Sequence, residues 1–180
     1  MSAGSETLRA EKPTSTRLFL AVVASSVFVT VLTATMISVL IPLIRAEFAA
    51  SAAQVGWVVT GYSLAYAIGV PLYGRISDFF GVRRVFTMGL LGFAAGGLIC
   101  ALAPSFAILV LGRIVQGVGG AAVPALASVA VAKVLPPGQR GSALGVVASS
   151  VGIGAVVGPI VGGRSGNFSV GVRFSWARSF

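Results

Sequence analysis

Between Arg84 and Lys133 the chain carries one charged side chain, Arg113, and the carboxamide of Gln116 follows it by one helical turn. With Gly117 and Gly120 the two share a helical face, so a cation and an amide lie beside a groove of small residues. Such a pair can handle charge but makes and breaks no covalent bond. A second group is Asp78 with Arg83 and Arg84, framed by Gly74 and Gly81; here a carboxylate can pair with a guanidinium or face a helix N-terminus. A third is Gly154, Gly158 and Gly162, four residues apart, with Pro159 and Gly163. Glycines at that spacing form a flat stripe for close helix contact, and the proline frees a carbonyl and kinks the helix. With no His, one Cys and four acidic residues, the chain lacks the material for His-based triads, disulfide frameworks or metal clusters. No nucleophile–base pair is present in the pattern, so no enzymatic reaction, cofactor or metal site is expected.

Composition says which elements must hold these groups. The 180 residues are 56% hydrophobic and 9% charged, with a mean hydropathy of +0.98. A soluble domain carries about a quarter charged residues. Uncharged runs extend over 18–44, 48–74, 85–112, 114–132 and 141–163, the third dividing at Ala103-Pro104-Ser105. Each reaches the roughly 18 residues that a membrane-spanning helix needs. The expected fold is therefore all-α: five transmembrane helices over residues 18–163, joined by short loops, after a solvated tail over residues 1–17. The first run, with Thr30, Thr33, Thr35 and Ser38 at its centre, is too long and too polar for a cleaved signal peptide.

Arg9, Lys12 and Arg17, then Arg75, Arg83 and Arg84, then Lys133 and Arg140 fall on one side of the helices; only Arg45 falls on the other. That bias places the N-terminus in the cytoplasm. It also explains the net charge of +9 without nucleic acid, because the cations flank helix ends and form no stripe on a folded surface. Within a membrane an Arg costs about 2.5–3.5 kcal/mol, so Arg113 must face a cavity or a partner, or snorkel from near a helix end.

The segment from Gly74 through Ile76, Ser77, Asp78 and Gly81 to Arg83 and Arg84 resembles the signature of the major facilitator superfamily between its second and third helices, Gly-x-Leu-Ala-Asp-Arg-x-Gly-Arg-Arg-Arg. Phe79 and Val82 stand at two commonly basic positions. The resemblance implies a cytoplasmic latch built on Asp78, Arg83 and Arg84. Arg113-Ile114-Val115-Gln116-Gly117-Val118-Gly119-Gly120-Ala121 resembles the fourth-helix motif Arg-x-x-Gln-Gly-x-Gly-x-Ala, which implies proton coupling at Arg113 and Gln116. Gly154, Gly158, Pro159, Gly162 and Gly163 resemble the antiporter signature of drug-efflux members, which uptake symporters usually lack. Trp57-Val58-Val59-Thr60-Gly61-Tyr62 and Pro136-Pro137-Gly138-Gln139-Arg140-Gly141 are similar to the fourteen-helix multidrug and tetracycline efflux branch. In helix one Thr35, Ile41 and Pro42 follow that branch, but Thr33 stands where its membrane Asp is usual. A hydroxyl exchanges no proton at physiological pH, so coupling through that position is not expected.

The resemblance implies most of one six-helix half of a drug/proton antiporter in the bacterial cytoplasmic membrane, with protons, a small amphipathic molecule and the lipid bilayer as partners. The alternatives are a truncated, non-transporting membrane fragment of a disrupted transporter gene, or an uptake symporter of the same superfamily. Residues 164–180 do not continue the family pattern and read as a frameshifted continuation. Without a neighbouring sixth helix, the glycine stripe of helix five is expected to be exposed and to favour self-association. Gly117-Val118-Gly119-Gly120-Ala121-Ala122 imitates a dinucleotide fingerprint, but it follows a membrane Arg rather than a strand. Cys100 reads as a packing thiol. Trp57, Tyr62 and Tyr66 fit either a substrate path or an interfacial belt.

Overall fold

The computed structural model describes residues 13–177, and among these the chain forms five helices: α1 (Pro13–Phe48), α2 (Ala52–Phe80), α3 (Val82–Ala101), α4 (Phe106–Val134) and α5 (Pro137–Ala177). Each contains a segment long and apolar enough to cross a membrane, the fifth over Pro137–Arg164. The all-α, five-helix expectation holds, with three adjustments at the ends. Helix α1 begins at Pro13, inside the segment read as tail, and residues 1–12 lie outside the described residues. Gly74–Phe80 forms the last turns of α2 rather than a loop. Helix α5 runs on through Ala177 instead of stopping at Gly163.

The connections are short because each is fixed by a specific local device. Ser51 caps α2: its hydroxyl accepts from the Gln54 backbone N–H at 3.2 Å, while the Gln54 side chain accepts from the Ser51 N–H at 2.8 Å. That reciprocal pair satisfies two of the helix's orphan donors, and its Ser-x-x-Gln pattern is readable in the sequence. Helices α2 and α3 are separated by Gly81 alone, at φ +82°, a conformation in which a Cβ would meet the backbone. The chain reverses there in one residue. At the end of α4, Arg140 Nε donates to the Leu135 carbonyl at 2.9 Å, so a cation counted above as a topology signal also closes a helix C-terminus.

Helix α4 is the axis of the bundle. Over its most apolar window 56% of residues are buried, against 17–28% for the other four helices. Helices α2 and α3 lie along it, and α1 pairs chiefly with α5. Val23 and Val27 of α1 meet Val123 and Ala127 of α4 near the middle, and Val85 of α3 packs on Ala122 and Leu126. Ile44, Val58 and Leu109 close one end; Val131, Leu135 and Ala143 close the other. Outward faces remain apolar, with Leu64, Ile68, Leu91, Val156 and Ile160 exposed. Such a surface suits lipid or further helices rather than water.

Candidate functional site

Two turns into α4, counted from Phe106, Arg113 is 2% exposed and Gln116 is 4% exposed. The guanidinium does not snorkel. Its Nη1 donates to Gln116 Oε1 at 2.6 Å, a charge-assisted bond made possible by the three-residue spacing. Its Nε points at the Val58 carbonyl of α2, at a long 3.5 Å. Its carbon lies 4.2 Å from the centre of the Tyr62 ring, a cation–π contact worth about 2 kcal/mol when desolvated. Tyr62 in turn stacks on Tyr66, with centroids 5.9 Å apart and planes 24° from parallel. A buried cation is thus held by a carboxamide, a carbonyl and an aromatic face.

Small residues let the flanking helices come close enough to do this. A Cβ on Gly96 of α3 would lie 2.6 Å from the Gln116 Cα, so α3 touches the α4 backbone beside the site. On the other flank Gly117 abuts the Tyr62 carbonyl of α2. Gly120, one turn further, lies under Phe93, Thr30 and the Tyr62 hydroxyl, each about 3.3 Å from where its Cβ would be. Arg113, Gln116, Gly117 and Gly120 therefore meet as the spacing predicts, with four helices contributing neighbours. Of the three aromatic residues that the sequence left open, Trp57, Tyr62 and Tyr66, Tyr62 is buried beside the charge rather than in an interfacial belt, while Trp57 is 59% exposed. The available signal was periodicity: Val58, Gly61, Tyr62 and Gly69 are the buried positions of one α2 face.

The glycine stripe of α5 is not exposed. Gly154, Gly158 and Gly162 are buried against α1, with would-be Cβ atoms 3.0 Å from the Phe28 carbonyl, 2.8 Å from the Leu32 carbonyl and 2.7 Å from Met36 Cγ, respectively. Gly163 makes only an ordinary contact with Val39, and Pro159 sits within the helix beside the stripe. The expected self-association through this stripe is corrected accordingly: α1 already fills it. Thr35 joins the two helices in a polar way, its hydroxyl lying 2.9 Å from the Val31 carbonyl of its own helix and 3.3 Å from the Gly154 carbonyl.

At the opposite end of the bundle, Asp78 pairs with Lys133 of α4 at 3.7 Å rather than with Arg83 or Arg84, which are exposed on the first turn of α3. The reversal at Gly81 separates the α2 and α3 side chains, while the end of α4 lies alongside α2. Lys133 is the member of this group that the motif did not indicate. Because both partners are largely exposed, Asp78→Asn should lower the thermal stability of the micelle-solubilised chain by no more than about 1 kcal/mol. That difference should shrink further in 1 M salt, where charges are screened within about 3 Å; thermal unfolding followed by circular dichroism checks it. Gly74 has open space around it. Cys100, partly buried, donates to the Leu109 carbonyl at 3.6 Å, in keeping with a packing thiol.

Comparison with known proteins places this arrangement. The family model described as Major Facilitator Superfamily matches residues 23–180. An uncharacterised transporter of that type, YhcA of Bacillus subtilis, is 31% identical over 91% of this chain and 30% of its own length. A multidrug resistance protein B homolog of Mycobacterium tuberculosis is 38% identical over 72% of this chain and 24% of its own length. Among solved structures, an inward-facing, unoccupied bacterial homolog of the human lysosomal transporter Spinster superposes with a TM-score of 0.76 at 23% identity. That match covers 94% of this chain and 37% of the other. The chain spans about a quarter to a third of the length of these curated relatives.

Proposed function

The chain belongs to the major facilitator superfamily, and from that premise we propose that it works within a proton-coupled efflux antiporter, exporting a small amphipathic molecule as protons enter. In this reading the five helices form most of one half of the transporter, in the cytoplasmic membrane with the N-terminus inside, and the intact protein rocks two halves about a midplane site. Arg113 and Gln116 take part in coupling. Gly74, Asp78, Gly81, Arg83 and Arg84, now with Lys133, form the cytoplasmic latch. Gly158 and Pro159 seal and bend α5.

Export over uptake is supported by the resemblance of Gly154, Gly158, Pro159, Gly162 and Gly163 to the antiporter signature, and Gly154, Gly158 and Gly162 seat on α1 at backbone distance. Any larger residue would push α5 away from α1, so the segment sets how these two helices meet. The multidrug resistance homolog among the relatives supports the same reading. Everted vesicles carrying the intact transporter should accumulate a fluorescent amphipathic dye when their interior is acidified, and lose it when an ionophore collapses the gradient. Accumulation indifferent to the gradient overturns the antiporter reading. The 180-residue chain alone, without a second half, is expected to insert and give no flux; gradient-dependent flux from it would overturn that part.

A further inference from the structure

Among the described residues Arg113 is a buried cation without a carboxylate partner. Of the chain's four acids, Glu6 and Glu11 lie outside the described residues, Glu47 is exposed in the last turn of α1, and Asp78 is exposed beside Lys133. Lys133 lies twenty residues along α4 from Arg113, about 30 Å at 1.5 Å per residue. Among the described residues no ion pair reaches Arg113; its hydrogen bonds, from Nη1 and Nε, go to neutral oxygens. Nη2 has no acceptor there. No buried side-chain nitrogen or oxygen among the described residues is left unsatisfied, so an Nη2 without an acceptor is one that reaches the residue's small accessible surface.

A desolvated guanidinium held by neutral groups is only partly compensated, and the cheapest completion is an anion that meets its remaining N–H donors. The geometry narrows where it can sit: Gln116 takes one N–H of Nη1, Val58 lies toward Nε and the Tyr62 ring covers the carbon, which leaves both N–H groups of Nη2 and the second N–H of Nη1. Half-buried Tyr66 stacks on Tyr62, so an aromatic surface continues from the ring that meets the charge. We propose that Arg113 Nη2 receives the anionic group of the transported molecule, so that the substrate class is an amphipathic anion with an aromatic or flat apolar body. Tyr62 is then a positioning residue, fixing the guanidinium plane.

This deepens the transporter reading and rests on it for its purpose, but binding needs no proton gradient. Failure of coupled transport would leave the binding result standing, and the reverse. The test is titration calorimetry on the whole chain in neutral maltoside micelles at 0.15 M salt, with three probes of one shape: naphthalene-2-carboxylate, its neutral carboxamide and 2-naphthylmethylammonium. The carboxylate should bind at least about tenfold tighter than either of the others. Arg113→Gln should bring that ratio to about one, and Arg113→Lys should keep part of it, because the charge survives while the planar fork is lost. A wild-type ratio near one, a preference for the cation, no binding by any probe, or a preference that survives Arg113→Gln each overturns the proposal. Should Arg113→Gln fail to fold by circular dichroism, the wild-type ratio and the Lys variant decide it.

Discussion

Arg113→Gln, made in the intact transporter that carries these helices, should cut proton-driven efflux by at least about tenfold while the protein still inserts and folds. The substitution removes a charge-assisted hydrogen bond worth about 1.5–3 kcal/mol and a cation–π contact of about 2 kcal/mol from a site at which the charge itself is proposed to work. Its effect on stability runs the other way. The charge is buried, 2% exposed, with neutral partners only among the described residues, and replacing such a charge by an uncharged group of similar size is often neutral or stabilising. Falling efflux with an unchanged or raised unfolding temperature is therefore the signature of a coupling residue. Retained efflux would leave Arg113 as a structural cation, and a joint loss of efflux and stability would mean that it braces α2 against α4. Arg113→Lys adds a control: it should recover part of the activity if charge alone matters and little if the guanidinium plane on Tyr62 is required.

The largest effect on the fold is expected at Gly119. A Cβ there would collide with the Phe93 backbone nitrogen, the Gly92 carbonyl carbon and the Gly89 carbonyl oxygen, all backbone atoms of α3 that cannot swing aside. The facing position repeats the constraint, since a Cβ on Gly89 would strike Ala122. Gly119→Ala should cost at least about 1–3 kcal/mol, the usual range for overpacking a close-packed interior, and Gly119→Leu should part α3 from α4. Gly56→Ala and Gly145→Ala, where nothing lies within 4 Å, should be neutral or stabilising by about 0.5–1 kcal/mol through helix propensity. Thermal unfolding of the four variants in the same micelles checks the order. Equal behaviour of Gly119→Ala and Gly56→Ala would mean that the α3–α4 contact does not hold the bundle.

Much of the architecture was legible because its causes are local. Hydropathy counts residues along one helix, so the five apolar spans emerged within a few residues of the membrane-crossing segments, although α5 itself continues to Ala177, and the Ala103-Pro104-Ser105 break fell between α3 and α4 as read. The face shared by Arg113, Gln116, Gly117 and Gly120 was legible for the same reason: it depends on helical period alone. The turn at Gly81 was half legible. A glycine there was noted, but the chain needs only that residue to reverse, and the preceding run from Gly74 stays helical.

What required the tertiary structure is every contact between residues far apart in the chain. Tyr62 lies 51 positions before Arg113, Asp78 lies 55 before Lys133, and Thr35 lies 119 before Gly154. In each case the sequence offered a nearer or incomplete answer: a substrate path or a belt for Tyr62, Arg83 or Arg84 for Asp78, an exposed stripe for Gly154.

The sequence by itself determined that this is a membrane-embedded helical protein, where its helices lie, and which side chains could handle charge. Those properties follow from side-chain transfer energies and from the 3.6-residue period, which act along one segment at a time. Only the tertiary structure decided what each polar group meets: neutral partners for Arg113, α1 for the glycines of α5, and Lys133 for Asp78. In an apolar solvent every helix face is nearly equivalent, so small residues and a few polar atoms choose the neighbours, and that choice is made between helices rather than within them.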